Sequence, residues 1–331
     1  MKAAEIKEVV RQAIREPRKT PPIFIWGGPG VGKTSLVYET ADEENVKKIE
    51  TPPAVVTDPT DWRGIPMPKD GKAIWLPPSF LPTENERAVM FIDELNVGAV
   101  LVQNTLLQLI IPPHRLGDYT LPDKVAIIAA GNREMEAFVH KMSPPLLNRF
   151  VHINFDVDLD EWLKWAWKHD IDPRIIAFLS KFRPELLYQF DPAKKAYPTP
   201  RSYEFLSMMI KNKEELNLAL IQGTIGEGAG TEFYSYLKIW SQLPDLDEIL
   251  EGKDIIPDEP DLRYAVCVGL TAKAKTAHHF NRLIDFSLKL PRELTIFLMR
   301  SLIMKDREKL VKSPKWPEFC RIAVNIEELL V

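Results

Sequence analysis

The sequence predicts an α/β protein: a parallel sheet flanked by helices over residues 1–156, then helices alone to the end of the 331-residue chain. Three observations carry this. Short apolar runs alternate with helical stretches up to about residue 155, as parallel strands joined by crossover helices do. One of those runs, Ile23–Trp26, leads directly into a glycine-rich loop and then a helix. From Leu159 onward the spacing of Trp, Leu and Ile becomes helical, near 3.6 residues.

Taken in order, Ile6, Val9, Val10, Ala13 and Ile14 define an amphipathic first helix, which Pro17, Pro21 and Pro22 end. The strand at 23–26 and the loop at 27–34 precede a second helix through Leu36, Val37 and Tyr38. Residues 51–82 are proline-rich and irregular, with a small hairpin near 74–76, and Pro52-Pro53 limits the strand before them. A buried-strand run at 89–92 ends in Asp93-Glu94. The helix after it is predicted to bury Val97, Val100, Leu101, Thr105 and Leu109. Gly117-Asp118, between short flanks, predicts a hairpin turn. Two further strands follow at 125–130 and 151–155. Among the later helices, 223–230 reads as a flexible interruption; no strand precedes it, so it is no nucleotide fingerprint. Residues 242–260, rich in proline and acids, read as a linker that separates 157–245 from 246–331.

Composition narrows the function classes. With 45% hydrophobic and 27% charged residues, the chain has a globular makeup. The formal charge of -4 lacks the basic excess of a general nucleic-acid binder. Cys267 and Cys320 have no metal-ligand spacing and read as reduced core thiols. The first residues carry acids and no apolar core, unlike a signal peptide, and no apolar run is long enough to span a membrane. The expected location is cytoplasmic.

Gly27-Gly28-Pro29-Gly30-Val31-Gly32-Lys33-Thr34 fits the phosphate-loop pattern G-x-x-x-x-G-K-[ST]. Glycines let successive N–H groups point at one spot, and the following helix adds its positive end. Lys33 is expected on the β- and γ-phosphates and Thr34 on Mg²⁺. Gly28, Pro29, Gly30, Val31, Gly32, Lys33, Thr34 and Ser35 are the expected nucleotide-binding residues. An apolar strand cannot bury carboxylates cheaply, so Asp93 and Glu94 should emerge at its carboxyl end, the edge where ligands of open α/β sheets bind. Asp93 would join Thr34 at the metal, and Glu94 would polarise the attacking water.

These motifs resemble those of the AAA+ ATPases, the MoxR branch above all, over about residues 23–201. Ile-Ile-Ala-Ala-Gly-Asn132 resembles the sensor 1 strand, and Pro145-Leu-Leu-Asn-Arg149-Phe150 the arginine-finger helix end. Thr199-Pro200-Arg201 resembles the sensor 2 start of a lid helix, although the usual preceding glycine is absent. Residues 58–64 with their hairpin resemble this branch's helix-2 insert, and 114–120 its pre-sensor hairpin. The resemblance implies a P-loop NTPase domain at 1–156, an all-α lid at 157–245 and a helical region at 246–331 of unassigned role. It also implies Asn132 orienting the attacking water, Arg149 (with Arg133 as rival) acting on a neighbouring copy's γ-phosphate, and Arg201 acting in cis. The implied protein hydrolyses Mg-ATP as a homo-hexamer that remodels a protein partner, often one with a von Willebrand factor A domain. A nucleic-acid motor or restriction-type translocase is the alternative, and a nucleotide switch with little turnover a third. No contact with a membrane is expected.

Overall fold

A computed structural model of the chain describes residues 1–83, 85–133, 142–212 and 216–322. The chain divides into two compact units, Met1–Asp158 with Phe190–Pro192, and Leu159–Gln189 with Ala193–Val331.

The first unit runs α1 (Ala3–Arg15), β1 (Ile23–Trp26), α2 (Lys33–Glu43), β2 (Lys47–Glu50), α3 (Pro59–Arg63), β3 (Ile65–Lys69), β4 (Lys72–Leu76), β5 (Ala88–Ile92), α4 (Val100–Ile110), β6 (Arg115–Leu116), β7 (Tyr119–Thr120), β8 (Val125–Gly131), α5 (Pro144–Leu147) and β9 (Val151–Asn154). Five strands form a wholly parallel sheet in the order β2-β5-β8-β1-β9. Every residue of β5 and β8 is buried, because helices cover both faces of such a sheet. That is why these strands read as unbroken apolar runs rather than alternating ones. The order also places the strand that leads into Asn132 between the one that leads into Asp93 and the one that feeds the phosphate loop.

Two predicted features resolve differently here. Val100 and Leu101 open α4 on its exposed side, at 53% and 68% exposure. The helix instead buries Val102, Leu106, Leu109 and Ile110 against Trp62 and the sheet, together with Gln103 and Thr105. The error came from extending the periodic pattern back to Val97, which lies before the helix begins. The hairpin predicted at 74–76 is longer than its sequence signal, β3 and β4 pairing antiparallel over Ile65–Lys69 and Lys72–Leu76. It interlocks with the second hairpin, β6–β7. The Asp118 carboxylate accepts the Trp75 amide at 2.8 Å, and the Arg63 guanidinium lies over the Trp75 ring.

The second unit is helical among the described residues: α6 (Leu159–Lys168), α7 (Pro173–Ala177), α8 (Pro200–Lys211), α9 (Leu218–Ile225), α10 (Glu227–Trp240), α11 (Leu246–Leu250), α12 (Pro260–Lys273), α13 (Ala277–Ser287), α14 (Arg292–Val311) and α15 (Trp316–Ile322). The glycine stretch at 223–230 is no flexible interruption. Gly223 lies inside α9, Gly228 and Gly230 inside α10, and only Gly226, at φ +87°, turns the chain between them. A Cβ on Gly230 would lie 2.7 Å from the Gln222 Cα, so Gly230 lets the two helices approach closely. Residues 242–260 are no bare linker either. Leu246, Ile249 and Leu250 of α11 are buried in a core with Val266, Leu283 and Leu298. Helices from both 157–245 and 246–331 therefore belong to one unit. Cys267 is buried there and unpaired, and burial pushes its thiol up to about 12; Cys320 is also an unpaired thiol. Among the described residues, no helix is long and apolar enough to cross a membrane. The predicted helical course of the chain beyond 322 lies outside the described residues.

Candidate nucleotide-binding site

The loop between β1 and α2 takes its shape from its glycines. Gly30 has φ +75° and Gly32, the residue before α2, has φ +99°. Side-chained residues rarely adopt either conformation. No side chain caps the start of α2, so its first-turn amides face the loop cavity, as phosphate binding requires.

The Lys33 side chain is buried and turns back into the loop. Its ammonium donates to the carbonyls of Gly27 at 2.7 Å and Gly28 at 3.0 Å, and to the Asn132 side-chain oxygen at 3.0 Å. In the first turn of α2, the Thr34 hydroxyl donates to the Asp93 carboxylate at 2.7 Å. Loop, acidic pair and sensor strand thus meet at the carboxyl edge of the sheet. Asp93 is half-buried, its other oxygen accepting the Glu94 amide at 2.9 Å. Glu94 is exposed and sits at φ +53°, a left-handed conformation costly for a residue with a Cβ and often kept where function holds it. Tyr38 on α2 stays a neutral phenol: burial raises it, and the nearby Glu50 and Asp93 charges raise it further.

Asn96 escaped the sequence reading. Its side chain is fully buried, and its amide nitrogen donates to the backbone carbonyl of Asn132 at 2.7 Å. It straps the segment after the acidic pair to the end of β8. The available signal was a polar residue two positions past the acidic pair, between Leu95 and Val97. The strap needs Gly131: a Cβ there would lie 2.2 Å from the Asn96 Oδ1 and 2.9 Å from the Phe24 ring. Gly131→Ala is therefore expected to destabilise the protein by about 1–3 kcal/mol, the range for overpacking a filled interior. Denaturant unfolding checks this, and an unchanged midpoint would contradict the crowding.

Arg149 stands elsewhere. It precedes β9, whose Val151 pairs with Ile23 and whose Asn154 pairs with Trp26. It therefore lies at the amino edge of the sheet, lining a cleft with Pro17, Pro22, Pro112 and Val125. The four residues of β1, at about 3.3 Å each, put roughly 10 Å between that edge and the start of the phosphate loop. Its guanidinium donates to the Pro145 carbonyl and makes no ion pair with a described residue. Arg133, by contrast, pairs with Asp156 at 2.5 Å and holds that carboxyl below its usual range. Arg201 belongs to the second unit, exposed in the first turn of α8 behind Pro200. Thr199 caps that turn by accepting the Ser202 amide at 3.0 Å, so proline at the helix start serves where the usual glycine is missing.

A parallel sheet of this order, with lysine, threonine and aspartate gathered on a glycine loop at its carboxyl edge, defines a P-loop nucleotide-binding domain. Residues 23–157 match the family model AAA, the ATPase family associated with various cellular activities. The chain is also similar to Midasin of Giardia intestinalis, 29% identical over 152 residues that make up 44% of this chain and 3% of that protein. It thus spans a small fraction of that curated relative's length. Among solved structures it is similar to the RuvB Holliday junction branch migration motor of Thermotoga maritima, 18% identical with a TM-score of 0.42, over 81% of this chain and 80% of that one. A point mutant of the same RuvB gives 0.43 at the same identity and the same coverage.

Proposed function

We propose that this protein is a MoxR-like AAA+ ATPase that couples Mg-ATP hydrolysis in a homo-hexameric ring to the remodelling of a protein partner. One observation carries the hydrolytic part. Lys33, Thr34, Asp93 and Asn132 converge at one edge of the sheet, while Arg149 stands unpaired with any described carboxylate at the other. A single copy holds the phosphates but cannot bring its own Arg149 to them, whereas a neighbouring copy in a ring can.

The roles follow from this placement. The Lys33 ammonium exchanges the Gly27 and Gly28 carbonyls for β- and γ-phosphate oxygens, while loop amides from Gly28 to Ser35 wrap the remaining charge. The Thr34 hydroxyl and the Asp93 carboxylate, 2.7 Å apart, are hard oxygen donors of the kind Mg²⁺ takes. Bound there, the ion would neutralise charge on the phosphates. Glu94 accepts a proton from the attacking water and Asn132 orients that water. Arg149 of the neighbouring copy stabilises charge on the γ-phosphate, and Arg201 ties turnover to movement of the helical unit. Hairpins at the positions of the helix-2 insert and the pre-sensor hairpin support the MoxR assignment. The hexamer and a von Willebrand factor A domain partner rest on the resemblance.

Glu94→Gln is expected to keep nucleotide binding and lower turnover about 10²- to 10⁴-fold, the usual worth of a general base. The stalled chain, used as bait, should retain the partner in an ATP-dependent manner. Full turnover in this variant would remove Glu94 from the chemistry. DNA or RNA that raised turnover and copurified with the stalled chain would replace protein remodelling with the motor reading.

A further inference from the structure

We propose that His152 is a positioning residue for Arg149, tying the turn that carries this arginine to the strand that carries the phosphate loop of the same copy. The proposal rests on the role of Arg149 given above and extends it. His152 lies within β9, opposite Phe24 of β1. The Trp26 indole N–H donates to its Nδ1 at 2.8 Å. An indole nitrogen only donates, so Nδ1 is the unprotonated nitrogen. The ring proton sits on Nε2, which donates to the Leu147 carbonyl, also at 2.8 Å. The indole and imidazole stack with centroids 5.9 Å apart, and the rings of Phe24 and Phe150 pack around them. Only the neutral imidazole, with its proton on Nε2, serves both partners.

The two ends of this bridge are functional. Trp26 is the last residue of β1, and the next carbonyl, that of Gly27, accepts the Lys33 ammonium. Leu147 is the last residue of α5 and stands two positions before Arg149. Backbone bonds from Arg149 to Leu146 and from Phe150 to Leu147 make 146–150 a closed turn, so holding the Leu147 carbonyl orients the whole turn. When phosphates take Lys33 from the Gly27 carbonyl, the change begins one residue from Trp26. The bridge carries it along β1 to the opposite edge of the sheet. The aim of the arginine offered to the next copy then depends on the nucleotide held by its own copy.

The test uses the full chain under assembling conditions. It measures kcat, nucleotide affinity and the Hill slope for ATP. His152→Phe keeps the ring stack and loses both hydrogen bonds. His152→Asn keeps an acceptor near Nδ1, and His152→Gln keeps a donor near Nε2. All three are expected to lower kcat roughly 10- to 100-fold, the cost of a misplaced catalytic group, and to bring the Hill slope toward one. Nucleotide affinity should change far less than kcat, because none of these side chains touches the phosphates and only the coupling through the bridge is lost. Trp26→Phe combined with His152→Phe should be no worse than either alone, because both break one bridge. In an Arg149→Ala background, His152→Phe should add nothing. Parental kcat and Hill slope in the His152 variants, with turnover still lost in Arg149→Ala, would overturn the bridge and leave the proposed function standing. Full turnover in Arg149→Ala would overturn both.

Discussion

Arg149→Ala is expected to reduce ATP turnover about 10³- to 10⁵-fold, the measured worth of arginine fingers, while leaving nucleotide binding nearly intact. In barrier terms this is about 4–7 kcal/mol. The dissociation of the two effects follows from geometry. Arg149 stands roughly 10 Å of strand away from its own phosphate loop, so it contributes nothing to the ground-state complex in its own copy. Its effect appears only where a neighbour's γ-phosphate accumulates charge. Arg149 is half-buried, and its hydrogen bond is to the backbone carbonyl of its own turn, so its removal should change stability by no more than about 1 kcal/mol. Turnover and unfolding midpoint measured on the same preparation separate a missing finger from a damaged fold. For the same reason, turnover per chain should rise with protein concentration as copies meet.

Lys33→Ala is expected to abolish turnover by another route, through loss of nucleotide binding. The ammonium is buried and already shares one small space with the Gly27 and Gly28 carbonyls and the Asn132 side chain. Hydrogen bonds to charged groups are worth about 1.5–3 kcal/mol each, and two of them, to the β- and γ-phosphates, amount to roughly 100-fold or more in affinity. Titration of the variant with ATP and Mg²⁺ checks this. Parental affinity would mean that the lysine does not reach the phosphates. The two substitutions thus differ in kind: one chain binds without turning over, and the other does not bind.

Much of the fold was legible because strong local signals agreed with the tertiary outcome. Unbroken apolar runs at 88–92 and 125–131 have the length of strands buried on both faces, and both lie inside the sheet rather than at its edges. The phosphate loop was legible because its glycines answer a backbone requirement that few other sequences meet. What failed were readings in which composition stood in for packing. The prolines and acids at 242–260 hid Leu246, Ile249 and Leu250, whose short helix enters the core. The glycines at 223–230 looked loose because close helix approach and flexibility use the same residue. Val100 and Leu101 were assigned to the core by periodicity that began one turn too early. In the site, the residues proposed to touch phosphate had motif positions, but Asn96 and His152 had none. Their partners are a carbonyl and an indole brought near only by the sheet order, which no local spacing encodes.

Mixing the two variant chains tests the shared site most directly. An Arg149→Ala chain retains a working phosphate loop, and a Lys33→Ala chain retains a working arginine. Equal amounts, each inactive alone, should recover turnover on assembly. If they intermix at random, about half of the loops and half of the fingers are intact. About a quarter of interfaces then pair an intact loop with an intact neighbouring arginine. The mixture should recover at most that fraction of parental turnover, lowered by up to about 100-fold because each intact arginine sits on a copy without nucleotide, and still exceed either chain alone. A mixture as inactive as its components, with intermixing verified by differently tagged chains, would contradict a site completed across copies.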